Sequence, residues 1–193
     1  DDPKATDKKP DVHYVPTPRD VVDMMLHLAR VKKTDLVYDL GCGDGRIVVT
    51  AAKKYGCRAV GYDIDPARVR DSLINVEKND LGHLVAIKQQ DIFTLDLSKV
   101  NVVALYLLPE LNVRLIPQLC KMKPGCRIVS HEFDMEGVRP DAKMEFYSVE
   151  DQQIHDIYLW TTPLQKDDGY DREEEEDWEE GEDDEKKPTE ADK

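Results

Sequence analysis

Three glycines in alternate positions, Gly41, Gly43 and Gly45, end an apolar run in the segment Val37-Tyr38-Asp39-Leu40-Gly41-Cys42-Gly43-Asp44-Gly45-Arg46. Glycine lets a chain turn sharply out of a strand and lets a ligand approach the backbone amides closely. Acids mark the same region. Asp39 lies inside the apolar run, where burial is costly unless it meets a partner, and Asp44 lies between two of the glycines. A second apolar run ends in Asp63, 18 residues beyond Gly45, with Ile64 next to it. That is where the ribose hydroxyls of a nucleoside would sit. After a third run, Gln90-Asp91-Ile92-Phe93 offers Asp91 for an adenine amino group, and Ile92 with its neighbour for the ring face. These residues together could hold an adenosine-bearing cofactor.

The acids decide which one. A dinucleotide presents a pyrophosphate to its glycine loop, and Asp39 and Asp44 would repel it. S-adenosyl-L-methionine has no phosphate and carries a sulfonium and an ammonium group, which the same acids attract. The G-x-G-x-G spacing also differs from the dinucleotide G-x-G-x-x-G. S-Adenosylmethionine is therefore the expected cofactor.

Strands and helices alternate around these residues. Apolar spacing predicts a first helix from Thr17, with Thr17 as its N-cap and Pro18 at its first position. A strand over 36–40 follows, then a helix over 46–55, a strand over 58–63 and a helix over 66–79. Further strands are expected over 84–89, 100–107 and 127–133, with a helix over 111–119 that Pro117 should bend or end. The last two strands, over 143–149 and 154–161, lie too close for a crossover helix and should pair as an antiparallel hairpin. The expected fold is α/β, a Rossmann-like doubly wound, mostly parallel sheet of seven strands, with helices on both faces and a C-terminal antiparallel hairpin.

Composition limits the rest. The 193 residues carry a net charge of −14, but residues 166–193 hold 16 acids against 5 bases and the remainder is close to balance. Residues 1–12 and 166–193 are expected to be disordered, leaving residues 13–165 as one domain. The balanced body lacks the basic face of a nucleic-acid binder. No apolar stretch reaches the roughly 20 residues of a membrane helix. A monomer in the cytoplasm is expected. The chain starts at Asp1 rather than Met, so a processed, exported form also fits. Cys42, Cys57, Cys120 and Cys126 have no metal-site spacing and read as free thiols, although Cys120 and Cys126 stand close enough to bridge. His13, His27, His83 and His155 show no metal spacing either, and no metal is expected.

From about Tyr14 to Thr162 the chain resembles the class I, seven-strand S-adenosylmethionine-dependent methyltransferases, on VYDLGCGDG and the acid-ended AVGYDID. Within them it is most similar to a small group of lysine methyltransferases. That group includes the mitochondrial enzymes that modify the ATP synthase c subunit and the adenine nucleotide translocase, with their prokaryotic relatives. The shared features are Tyr14-Val15-Pro16-Thr17, DLGCGDGRI, Ala51-Ala52-Lys53 and Val60-Gly61-Tyr62. The resemblance implies that Tyr14, Pro16 and Thr17 line the cofactor's methionine end. It also implies a protein acceptor with an accessible lysine, on a basic or a membrane-embedded protein.

Many relatives that methylate adenine or amide nitrogens carry Asn/Asp-Pro-Pro-Tyr/Phe after strand four. This chain has Tyr106-Leu107-Leu108-Pro109-Glu110. Tyr106 could orient an acceptor amine and also line the cofactor site, and could equally be a packed strand-end ring. In Ser130-His131-Glu132-Phe133, His131 could take a proton and Glu132 could hold an incoming ammonium; either could also be an ordinary hydrogen-bonded strand-end residue. The core fills nearly all of the domain and leaves no lid, which suits a protein acceptor. Small-molecule or RNA methylation on the same fold, and a non-catalytic S-adenosylmethionine-binding scaffold, are the competing readings.

Overall fold

The computed structural model describes residues 15–167. Tyr14, the lead over 1–12 and the acidic stretch from 168 to 193 lie outside the described residues. Seven strands form one sheet: β1 (Leu36–Leu40), β2 (Arg58–Asp63), β3 (Val85–Gln89), β4 (Val102–Leu105), β5 (Arg127–His131), β6 (Ala142–Tyr147) and β7 (Ile154–Thr161). Their order is β3-β2-β1-β4-β5-β7-β6. The first five run parallel, and β7 inserts antiparallel between β5 and β6.

Alternating side chains divide the core into two layers. Val37, Ala59, Val102, Ala104 and Val129 pack against helices α1 (Arg19–Leu28), α2 (Arg46–Tyr55) and α3 (Pro66–Lys78). Leu40, Val103, Leu105 and Ile128 pack on the opposite face against α4 (Pro109–Leu119). All four residues of β4 are buried, as a strand covered on both faces requires. The strand order reverses between β1 and β4, which opens a crevice at their carboxyl ends.

Several boundaries depart from the sequence reading, each for a local reason. Thr17 does not cap α1; Pro18 occupies that position without a side-chain bond, and the Thr17 hydroxyl turns to His131 instead. β4 stops at Leu105, so Tyr106 and Leu107 leave the ladder and point at the crevice. β5 stops at His131 because Glu132 adopts φ +65°, outside strand geometry. Pro117 lies in the last turns of α4 without ending the helix, which continues to Leu119. No helix separates β5 from β6; the connecting loop instead packs Met135 and Val138 into the core. Backbone pairing runs two residues beyond 165, through a Val138↔Lys166 bridge and a bond from Asp167 N–H to Gly137 O. The four thiols are free, with Cys120 exposed and Cys126 buried. Among the described residues no helix is long and apolar enough to cross a membrane.

The lower end of the sheet is fixed by an ion pair. The Arg127 guanidinium donates to Asp35 Oδ2 and, through Nε, to Ala29 O at 3.0 Å; Asp35 Oδ2 also accepts from Lys32 N at 2.8 Å. The pair thus joins the end of α1, the start of β1 and the start of β5. Removing one partner of a largely buried pair strands the other charge, so Asp35→Ala should cost about 3 kcal/mol in urea unfolding. An unchanged midpoint would show that the pair contributes nothing to the fold.

Candidate cofactor and acceptor site

The glycine loop is held from three sides. Gly41 and Cys42 both donate to Tyr62 O at 2.8 Å, which ties the end of β1 to the end of β2. Asp63 Oδ2 accepts from Gly43 N at 2.9 Å, and its Oδ1 accepts from Asp65 N at 2.9 Å. From α3, the Ser72 hydroxyl donates to Gly43 O at 2.6 Å and the Asn75 amide to Asp44 O at 3.0 Å. Gly45, at φ +77°, opens α2, and a Cβ there would stand 3.1 Å from Ser72 Cβ. Gly61 is a steric requirement of another kind. A Cβ on it would stand 2.8 Å from Cys42 Sγ, so the loop can seat against β2 only over a bare backbone.

A cavity of about 320 Å³ opens above this loop. Asp39, Gly41 and Asp44 form its floor, with Pro16 and Thr17 beside them. Ile64, Asp91, Ile92 and Phe93 line one end, and Tyr106, Leu107, Leu108 and Phe133 the other. Most of the site residues expected from sequence therefore meet in one place. Gly43 and Gly45 shape the loop backbone, and Tyr14 lies outside the described residues.

Charge in the cavity is uneven. Asp39 is 2 % exposed and its Oδ2 is buried without a hydrogen-bond partner. Burial, reinforced by the charges of Asp63 and Asp44, raises its pKa to about 8. Asp63 is also raised by burial, though its backbone hydrogen bonds oppose this. Asp44 is already engaged: Arg46 donates to it from Nε at 3.0 Å and from Nη2 at 2.7 Å, and from Nη1 to Thr17 O at 2.6 Å. Asp44 is thus not available as a bare anion. Arg46, which the sequence reading passes over, brings a cation into the cavity wall and ties residue 17 to the loop. The signal is present in the sequence, as an arginine directly after the glycines.

These residues fit S-adenosylmethionine. The unpartnered Asp39 oxygen suits a cationic group at its end of the cavity, Asp63 keeps lone pairs for ribose hydroxyls, and Ile64, Ile92 and Phe93 suit an adenine ring. Asp91 accepts from Phe93 N at 3.1 Å, which shapes a 3₁₀ turn, and Gln118 holds that turn by donating to Ile92 O and Leu95 O. Arg114 lies 3.7 Å above the Phe93 ring.

The end of the cavity at Tyr106 is aromatic. The Tyr106 ring stacks on Phe133 with centroids 6.4 Å apart and lies 4.1 Å from the His131 ring. Burial, with the nearby Glu132 charge, pushes the Tyr106 phenol up. His131 is buried behind it. Burial, then His155, pulls its pKa down to about 3, so the ring is neutral and is no ready base at pH 7. Its Nδ1 lies 3.1 Å from Thr17 Oγ1 and its Nε2 2.9 Å from His155 Nδ1. Glu132 is not in the cavity wall; its Oε1 lies 2.6 Å from His155 Nδ1. Burial opposes a charge on His155, but hydrogen bonds to Asp151 and Glu132 outweigh it and raise its pKa.

Known proteins share this architecture. Residues 39–142 match the ANTKMT methyltransferase domain. A protein-lysine N-methyltransferase from Saccharolobus islandicus is 46 % identical over 154 residues, covering 78 % of this chain and 94 % of that protein. A lysine N-methyltransferase of the ATP synthase c subunit, from Xenopus laevis, is 30 % identical over 129 residues, covering 66 % of this chain and 56 % of that protein. Among solved structures, one described as an RNA methyltransferase from Salinibacter ruber, in complex with S-adenosyl-L-homocysteine, is 43 % identical with a TM-score of 0.74. It covers 81 % of this chain and 99 % of that one.

The buried Asp39 makes a prediction about pH. Its folded pKa of about 8 lies above its value in an unfolded chain. The protonated acid therefore stabilises the fold at low pH, and that contribution is lost as pH rises through about 8. The thermal midpoint of the ligand-free protein should fall as pH rises from about 4 to about 8 and level off above that, and Asp39→Asn should flatten the slope. A cationic ligand should also expel the Asp39 proton. Calorimetry at pH 7 in buffers of different ionisation enthalpy should show release on the order of one proton with S-adenosylmethionine, absent in Asp39→Asn. Equal heats in all buffers for the unmodified protein would contradict this.

Proposed function

We infer that this chain, which belongs to the ANTKMT methyltransferase family and is an S-adenosylmethionine-dependent methyltransferase, delivers its methyl group to the ε-amine of a protein lysine. The observation that carries the reading is the acceptor end of the cavity. Tyr106 and Phe133 form an aromatic wall beside Leu107 and Leu108, in place of the polar Asn/Asp-Pro-Pro-Tyr/Phe clamp suited to adenine or amide nitrogens. Such a wall fits a four-carbon stem ending in a cation, which the ring faces can attract.

S-Adenosylmethionine, when bound, supplies a methyl group on a good leaving group. The chain's own residues then have to hold the acceptor lone pair in line and exclude water. Tyr106 and Phe133 can orient the amine. A lysine with an ordinary pKa of about 10.4 must first lose a proton. Neutral, buried His131 is not poised to take it, so the proton leaves to water at the open mouth. The names of the Saccharolobus islandicus and Xenopus laevis relatives support a lysine acceptor.

The Salinibacter ruber relative supports a second reading, RNA methylation. Charge weighs against it: Glu132 and Asp151 lie against His155 behind the Tyr106–His131 pair, where they would repel phosphates. The two readings separate by incubating the enzyme and labelled S-adenosylmethionine with a protein extract and with RNA. Label should survive ribonuclease, disappear with protease, and map by mass spectrometry to methylated lysine. Label found only in RNA would overturn the lysine assignment. Tyr106→Ala should lower kcat about 10²-fold while leaving cofactor affinity nearly intact; an equal loss in both would place Tyr106 in cofactor binding instead.

A further inference from the structure

Beside the acceptor end, three side chains converge on one point. His131 ends β5, Glu132 follows it, and His155 lies near the start of β7, brought alongside by the antiparallel pairing of β5 and β7. We propose that His131 Nε2, His155 Nδ1 and Glu132 Oε1 form a binding site for a single divalent transition-metal ion of the Zn²⁺ class.

The three atoms are 2.9, 2.6 and 3.3 Å from one another. Ligands held ~2.1 Å from one ion stand ~3.0 Å apart at right angles and ~3.4 Å apart at tetrahedral angles. The existing triangle therefore needs shifts of only a few tenths of an ångström to surround an ion. Two imidazole nitrogens and one carboxylate oxygen are a donor set for Zn²⁺ and its borderline neighbours, and are poorly matched to Mg²⁺ or Ca²⁺.

The far side of each imidazole supports the same assignment. A metal-bound histidine needs its other nitrogen held by an acceptor that fixes the tautomer and the ring plane. His155 Nε2 lies 3.0 Å from Asp151 Oδ2, and His131 Nδ1 lies 3.1 Å from Thr17 Oγ1. Each ring is thus held from behind and turns its remaining nitrogen to the shared point. His131 is 1 % exposed and His155 7 %, whereas Glu132 is partly open and gives an ion a way in. Glu132 reaches over the two rings from a backbone at φ +65°. An ion here would join the segment before α1, the end of β5 and the β6–β7 turn, and so stiffen the wall behind Tyr106. The assignment is independent of which acceptor is methylated.

The test is Zn²⁺ calorimetry on the full chain, stripped with chelator and kept reduced, beside His155→Gln, Glu132→Gln and Asp151→Asn. The unmodified chain should bind about one tight equivalent. His155→Gln and Glu132→Gln should lose that event, and Asp151→Asn should weaken it about 10- to 100-fold. S-Adenosylmethionine affinity, unchanged in all three, checks that they are folded. No tight binding by the unmodified chain, or equal binding by His155→Gln, would overturn the site and leave a hydrogen-bonded cluster; in the second case the thiols or the acidic run would be holding the ion.

Discussion

A carboxylate buried in the middle of a parallel sheet, with one oxygen unpartnered, is the constraint around which this molecule is organised. Asp39 pairs along the ladder with Gly61 on one side and Ala104 on the other and is 2 % exposed, at the floor of the cavity. Left alone it would be neutral or would destabilise the strand. Its position makes sense beside a cavity that receives a cation, and the nearby elements serve that arrangement. The glycine loop exposes backbone beside it, Asp63 braces the loop at Gly43, and Ser72 and Asn75 hold the loop from α3. Gly61 lacks a side chain because Cys42 occupies that space.

The two halves of the cavity are built differently. Around the loop, hydrogen bonds to backbone fix nearly every group, as suits a cofactor whose parts must be placed within a fraction of an ångström. At the acceptor end, rings and aliphatic side chains form a wall with few polar anchors. Specificity for the acceptor would then rest on shape and charge at the rim rather than on hydrogen bonds within the pocket. Arg46 connects the halves, gripping Asp44 with one side of its guanidinium and Thr17 O with the other. Movement of the segment before α1 is therefore coupled to the loop that receives the cofactor.

Much of this is legible in the sequence, and the gaps have physical reasons. The spans of α2 and β2 match expectation to the residue, because glycines and an acid punctuate them. The parallel sheet with an antiparallel end follows from the short link between the last two strands. The unbroken apolar run from 102 to 108 puts Tyr106 in a strand, and composition does not show where a ladder stops. The left-handed backbone of Glu132, rare for a non-glycine residue, has no sequence signal, so neither the end of β5 nor the direction of the Glu132 side chain can be read in advance. His131 and His155 stand 24 residues apart, and only the β5–β7 register makes them neighbours. Arg46 looks like an ordinary first-turn residue until its reach to Thr17 is visible.

The most direct measurement is a crystal structure of the full chain with S-adenosylmethionine bound. It should show a cationic group of the methionyl end beside Asp39 Oδ2, the ribose on Asp63, the adenine between Ile64 and Ile92 near Asp91, and the methyl group facing Tyr106. A cofactor bound elsewhere, or one that leaves Asp39 Oδ2 without a cationic neighbour, would contradict the central claim that this buried acid selects the methyl donor.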